Sequence, residues 1–243
     1  MKKIDRTGEI SYTRLGTKMK IIKYNNADDL YIEFQDNYKI IVHGKYNDFK
    51  NGYVKNPYDK SIENIGYIGM GKYSRKTHKS IYNKWADMLS RCYNPYTLNK
   101  KQCYIDCYVC EEWHNFQNFA KWYEENYYEC NEKLHLDKDI LIKGNKIYSP
   151  ETCIFVPHKI NEYFSGINIT KGYRIINNKY VAYIKVDKKQ KYLGSYETKE
   201  EAIESYIIEK ENGIKILVNK YKNIIPQYIY DVIYNYKVRI IDN

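Results

Sequence analysis

Apolar and polar residues alternate in short runs through residues 1–75, in EISYTR, MKIIKY, DLYIEF and KIIVHG. A period of two is the signature of a strand with one buried face. In DLYIEF, Leu30, Ile32 and Phe34 share one face, and Tyr31 and Glu33 the other. Asn25-Asn26 and Asp36-Asn37 separate the runs as turn formers. The pattern predicts four or five strands in a small, strongly bent antiparallel sheet or barrel. Asn56-Pro57 and the glycines at 66, 69 and 71 mark a turn-rich exit.

The period then lengthens. Ile81, Trp85, Met88, Leu89 and Cys92 form one helical stripe over Lys79–Cys92, with Ser80 as its expected N-cap. A second helix is expected from about Glu111 to Tyr127, with Trp113, Phe116, Ala120, Tyr123 and Tyr127 as its stripe. So much aromatic surface needs a partner, and the next segment, Leu134–Asn161, is the nearest. Residues 76–165 therefore read as one α+β domain, two helices packing a ββα finger.

In Leu134–Asn161, alternation puts His135, Asp137 and Asp139 on one strand face, and Leu134, Leu136, Lys138 and Ile140 on the other. Gly144-Asn145 is a tight-turn signal that returns the chain into a second strand, KIYS. Pro157 suits a first helical turn, and His158 and Asn161 are three apart on one helix face. A strand carboxylate facing a helix asparagine offers oxygen ligands to Mg²⁺ and leaves positions for water and phosphate.

Residues 166–243 predict three strands, Tyr173–Ile176, Tyr180–Val186 and Lys191–Tyr196, after a linker from Ser165 to Lys171. Thr198-Lys199-Glu200-Glu201 is a capping box opening a helix with Ala202, Ile203, Tyr206 and Ile207 as its stripe. Ala182, Ile184 and Val186 should face that helix, leaving Val181, Tyr183 and Lys185 on an open face. Helical spacing continues past Gly213 through Ile214, Leu217, Val218 and Tyr221. Pro226 opens a last helix through Tyr228, Ile229, Val232, Ile233 and Tyr236. These stripes are expected to pack on the helix before them. The fold class is α+β: an N-terminal β domain, a central helical domain with a finger, and a C-terminal sheet with helices.

Charge sharpens this picture. The net charge is +10 and the pI about 9.0, which favours a polyanionic partner. Thirty tyrosines interleaved with lysine pair phosphate neutralisation with faces on which bases rest. Tyrosine-rich basic surfaces also suit single-stranded RNA. There is no apolar run of about 18 residues for a membrane span, and MKKIDRTGEI lacks the apolar core of a secretory signal. A cytosolic protein is expected, its six cysteines thiols or metal ligands rather than disulfides. Cys107, Cys110 and His114 have the spacing of a structural zinc site, with Cys92 or Cys103 as a fourth ligand. The other reading makes Cys107 and Cys110 ordinary small residues of a strand and a helix start.

LDKDILIKGNKIYSPETCIFVPHKIN resembles the HNH (ββα-metal) finger of phage-encoded, often homing-type, endonucleases, and YNKWADMLSRCY and YVCEEWHNFQNFAKWYEEN resemble the lead-in to it. The resemblance implies hydrolysis of a DNA phosphodiester with one Mg²⁺ or Mn²⁺ in a host bacterial cytoplasm. Asp137 falls on the metal-binding aspartate and Asn161 on the helix ligand. The general-base position falls on Lys138 instead of histidine, and the middle asparagine on or near Thr152. A lysine base would need its pKa lowered from about 10.4 to near 7; Lys138 would otherwise bind phosphate or a leaving oxygen. His135 needs no such shift, and Asp139 and His158 are further candidates. The alternative is a catalytically degenerate finger kept for binding, as a regulator or as an anti-CRISPR-like inhibitor of a bacterial defence nuclease or its guide RNA.

Gly172 to Lys210 is similar to the AP2 DNA-binding domain, through Tyr173-Arg174, YVAYIK, YLGSY and the Glu201-Ala202 helix with Tyr206. The resemblance implies a sheet face lying in the major groove of double-stranded DNA, with Arg174, Tyr183, Lys185 and Tyr192 as its contacts. Lysine meets phosphate as a point charge where arginine reads guanine bidentately, so affinity without sharp sequence reading is expected.

Overall fold

A computed structural model describes residues 4–165, 172–186 and 189–238. Most of the expected linker Ser165–Lys171 and the side chain of Val186 lie outside the described residues. The fold is α+β, built from several small sheets, and resolves into two compact units: residues 1–125 with 146–149, and residues 126–145 with 150–243.

In the first unit, β1 (Ile10–Tyr12), β2 (Lys18–Asn26), β3 (Asp29–Phe34) and β4 (Ile41–Gly44) form an antiparallel meander in sequence order. It is an open sheet; the barrel alternative does not occur. A short helix, α1 (Tyr46–Lys50), follows, and its Phe49 closes a core with Met19, Ile21, Leu30, Ile32 and Phe34. One added turn of helix caps the apolar face that a barrel would have had to enclose. The predicted alternation in β3 holds: Leu30, Ile32 and Phe34 are buried, Tyr31 and Glu33 are not.

Next in the same unit come α2 (Lys79–Tyr93), α3 (Pro95–Lys100), β5 (Tyr108–Val109) and α4 (Phe116–Asn126), with a 3-10 turn over Glu111–His114 before α4. The α2 stripe is buried as its period requires. Its N-cap is His78 without a side-chain cap bond, not Ser80, which lies one residue inside the helix. Trp85 Nε1 donates to the Trp113 carbonyl at 2.7 Å, and Trp113 packs on Phe119 and Trp122. Gly66 lets the chain cross this core: a Cβ there would collide with Leu89 Cδ1 and the Trp85 ring. Tyr127, expected on the α4 stripe, lies past the helix end and is exposed.

The finger differs from the simple hairpin. β6 (Leu134–Asp137) is followed by β7 (Ile147–Tyr148) and β8 (Ile154–Pro157), then α5 (His158–Ser165). The strand after Gly144-Asn145, β7, pairs in parallel with β5 and belongs to the first unit. The antiparallel mate of β6 is β8, in register Leu134↔Pro157 to Asp137↔Ile154. All four residues of β8 are buried, so the stronger apolar segment takes the pairing and KIYS is left to another edge.

β9 (Tyr173–Ile176), β10 (Lys179–Val186) and β11 (Lys189–Tyr196) form an antiparallel sheet with β10 central, followed by α6 (Lys199–Asn219) and α7 (Gln227–Tyr234). The capping box is present: Glu201 N donates to Thr198 Oγ1 at 3.3 Å and Thr198 N to Glu201 Oε2 at 3.2 Å. α6 runs unbroken through Gly213, where a Cβ would meet the Tyr163 hydroxyl. Its first half covers the sheet with Ala202 and Tyr206. Its second half places Ile214 and Val218 in a core with Ile154, Val156, Ile160, Phe164, Ile229 and Ile233. The C-terminal stripes therefore pack on each other, α7 against α6 as expected, and share that core with the finger's β8 and α5. Within the first unit the aromatic stripes of α2 and α4 meet, Tyr82 and Trp85 packing on Phe116.

Candidate functional sites: the finger and an open sheet face

β6 presents its residues as the alternation requires: Leu134 and Leu136 buried, His135 and Asp137 partly exposed. Asp137 Oδ1 accepts the backbone N–H groups of Asp139 and Ile140, each at 2.8 Å. The turn is thereby clamped directly behind the strand, and the carboxylate is fixed. Burial pushes Asp137 above the usual carboxylate range and the Asp139 charge adds to this, while the two N–H donors and Lys138 pull the other way.

Lys138 is buried, and its Nζ donates to Asp139 Oδ1 and Oδ2 at 2.8 and 2.9 Å and to the Asn145 carbonyl at 2.6 Å. Asn145 Nδ2 returns a bond to the Lys138 carbonyl at 2.8 Å. These bonds close the loop after β6. They hold the Lys138 ammonium proton-loaded against acceptors, opposite to what a general base needs, and they engage both oxygens of Asp139. Thr152, at the middle-asparagine position, is buried with its hydroxyl against Cys153.

His135 Nε2 lies 3.2 Å from His158 Nδ1, so the strand face and the first residue of α5 meet. Asn161 is half-buried one helical turn further along α5. Asp137 and Asn161 supply the hard oxygen donors that Mg²⁺ or Mn²⁺ takes. Asp137 Oδ2 has no hydrogen bond among the described residues, and the burial that raises Asp137 is what a neighbouring cation would relieve. In donor chemistry the two residues fit such an ion. Among the described residues no three His, Cys, Asp or Glu side chains gather as a metal-binding group.

At the zinc-spaced cysteines, Cys107 is buried and its thiol lies 3.9 Å from the Cys103 carbonyl. Cys110 N donates to the Tyr148 carbonyl, and the His114 ring donates from Nε2 to the Val109 carbonyl at 3.1 Å. Burial lowers the His114 pKa, against that carbonyl, which raises it.

The C-terminal sheet brings its four expected residues onto one face. Arg174 lies opposite Val181, and Tyr183 opposite Tyr192; directly paired residues share a face. The register of β11 slips between Ala182↔Gly194 and Tyr183↔Tyr192, leaving Leu193 as an extra residue. A one-residue slip reverses every later side chain. In a regular ladder Tyr192 would oppose Ile184 and turn toward α6; the bulge turns it to the open side. The Arg174 guanidinium lies 5.7 Å from the Tyr183 ring centre, and the Tyr183 and Tyr192 rings are 5.6 Å apart at 62°. Tyr192 is 57% exposed. Val181, expected on this open face, shares it yet is buried, flanked by Arg174 and Ser195 across the two ladders. Lys179 and Lys191 pair with Glu197 and Glu209 at 2.7 Å. Among the described residues neither Arg174 nor Lys185 has an acidic partner.

Two features escape the linear pattern. Tyr236, just beyond α7, packs edge-on against Phe164 of α5 at 4.8 Å. Burial raises its phenol, and the charges of Asp137 and Asp139 add to this, so the tail lies beside the finger's carboxylates. No sequence spacing foretells a contact of that separation. The other is the loop Lys72, Arg75, Lys76, His78 and Lys79, a basic surface of the first unit. Ser74 and Thr77 close its turn, and the Tyr73 hydroxyl anchors it by donating to Glu124 Oε2 at 2.6 Å. The density of basic residues was legible; its exposure was not.

No protein-family model, no curated protein and no solved structure matches the chain. No helix among the described residues is long and apolar enough to cross a membrane.

Proposed function

We propose that this chain is a phage-encoded protein of HNH/AP2 type that binds double-stranded DNA through the open face of β9–β11. The observation that carries the reading is the bulge at Leu193, which puts Tyr192 beside Tyr183, whose ring also meets the Arg174 guanidinium. Together with Lys185 they form a face of two cations and two aromatic rings, with no acidic partner to the cations among the described residues. Cations of this kind hold the phosphate backbone, and the rings pack on sugars and base edges. With one arginine, the face favours affinity over sequence reading. The test is anisotropy of a labelled duplex competed by unlabelled duplex or by single-stranded RNA of the same sequence. Duplex should displace the probe at lower concentration; preferential displacement by RNA would move the partner to single strands.

A second reading, cleavage, is favoured by Asp137: a half-buried, rigidly held carboxylate with one oxygen free of hydrogen bonds among the described residues. Under it, Asp137 and Asn161 would hold Mg²⁺ or Mn²⁺, which stabilises developing charge on a phosphate when bound. His135, on the same strand face, would accept the proton of the attacking water, since Lys138 is committed to Asp139. Nicking of supercoiled plasmid in Mg²⁺ or Mn²⁺, lost in Asp137→Ala with duplex binding intact, supports cleavage. No nicking by the wild type leaves the finger to binding alone.

A further inference from the structure

We infer that His135 and His158 form a two-histidine site for a divalent transition-metal ion, displaced from the Asp137–Asn161 pair by one strand repeat and one helical turn. His135 precedes Asp137 by two residues on β6, and His158 precedes Asn161 by three on α5, so both pairs span the same strand and helix.

The separation of the two hydrogen-bonded ring nitrogens matches that of two imidazoles on one ion. Two imidazole nitrogens about 2.0–2.1 Å from one metal are about 3.4 Å apart at a tetrahedral ion and about 3.0 Å at an octahedral one. His135 Nε2 and His158 Nδ1 are 3.2 Å apart, with ring centres at 5.0 Å and planes inclined by 33°. Both residues sit on the finger's paired framework: His135 is fixed by its register with Val156, and His158 directly follows Pro157, which pairs with Leu134. His158 is exposed and His135 partly so, which leaves room for water or phosphate to complete the coordination. The neighbouring cation, Lys159, is drawn to Glu132 at 3.1 Å, and Glu132 also accepts from the Tyr221 hydroxyl. That pairing reduces the positive charge a metal would meet.

Imidazole pairs select Zn²⁺, Co²⁺ or Ni²⁺ over Mg²⁺. The site therefore differs in metal class from the oxygen donors beside it. A metal here takes the lone pair that His135 would need as a base, so the two roles exclude each other. The site does not depend on DNA binding.

The test is titration of the full chain with Zn²⁺, without DNA, followed by the ring nitrogens of its five histidines in ¹H–¹⁵N spectra. His135 should shift at Nε2 and His158 at Nδ1, together and saturably. His135→Asn and His158→Asn should each weaken binding by about tenfold or more, while Asp137→Asn retains it. Folding of the variants is checked by the unchanged signals of His43 and His78. If neither His135 nor His158 shifts, or if Asp137→Asn abolishes binding while His158→Asn does not, the inference is overturned. A shift confined to His114 would place zinc at the Cys107–Cys110 segment and also overturn it.

Discussion

Lys138 and Asp139, adjacent in the chain, are joined by two hydrogen bonds from a buried ammonium to a half-exposed carboxylate. The Lys138 side chain is 7% exposed and that of Asp139 48%. The two are thus unequal partners in one ion pair.

That inequality predicts an asymmetry between two variants. Removing the carboxylate in Asp139→Ala takes the hydrogen-bonded counter-charge from a buried cation. Removing the cation in Lys138→Met keeps the stem's packing and frees a carboxylate that turns to water. Urea unfolding should show Asp139→Ala losing about 2–4 kcal/mol and Lys138→Met clearly less. Equal losses, or the reverse order, would mean that Lys138 is not held as described.

This pair also explains how far the finger was legible. Alternation along LHLD gave the faces of β6 correctly, because a four-residue strand with one buried side has little freedom. Lys138 lies past the end of that strand, where it is buried against Asp139 instead of continuing the alternation. What alternation could not supply was the strand partner. Spacing marks KIYS as the second strand and does not single out IFVP, whose pairing with β6 rests on burial on every side, a tertiary fact. The C-terminal helices show the same limit. Their stripes are periodic and form helices, but a stripe does not name every partner: α7 packs on α6 as expected, and both share a core with the finger. In the C-terminal sheet, Tyr192 faces outward only because of an extra residue at Leu193, and sequence spacing alone does not locate a bulge.

Lys210 is a second buried cation, with a different prediction. Its Nζ lies 3.8 Å over the Tyr163 ring, and burial lowers its pKa. A lysine depressed on folding is protonated more readily in the unfolded chain. Stability from this group therefore rises as pH climbs through the lowered folded value toward 10.5. At neutral pH the charge opposes folding, offset in part by the ring. Lys210→Met should leave stability unchanged or raise it by up to about 2 kcal/mol, and should flatten the alkaline rise. A clear loss of stability at pH 7 would show that the ammonium contributes more than its burial costs.

His114 predicts acid sensitivity of the first unit. Burial depresses its folded pKa below the ordinary 6.5, so below that pH the unfolded chain binds the extra proton. Stability from His114 is full at neutral pH and is lost as pH falls from about 6.5 toward the depressed folded value. His114→Gln, which keeps a donor for the Val109 carbonyl, should lose less stability than the wild type between pH 7 and 5. Parallel curves for the two proteins would show that His114 does not set the acid sensitivity.

The claim that the open face of β9–β11 holds duplex DNA is tested most directly by the salt dependence of binding. Removing one cation that neutralises a phosphate lowers the slope of log K against log salt by about 0.9. Arg174→Ala with Lys185→Ala should weaken binding of a random duplex at least tenfold and reduce that slope by about 2. Lys191→Ala, which removes a lysine paired with Glu209 on the α6 side, should change neither. Unchanged affinity and slope in the Arg174/Lys185 double variant, with the fold intact, would contradict duplex binding by this face.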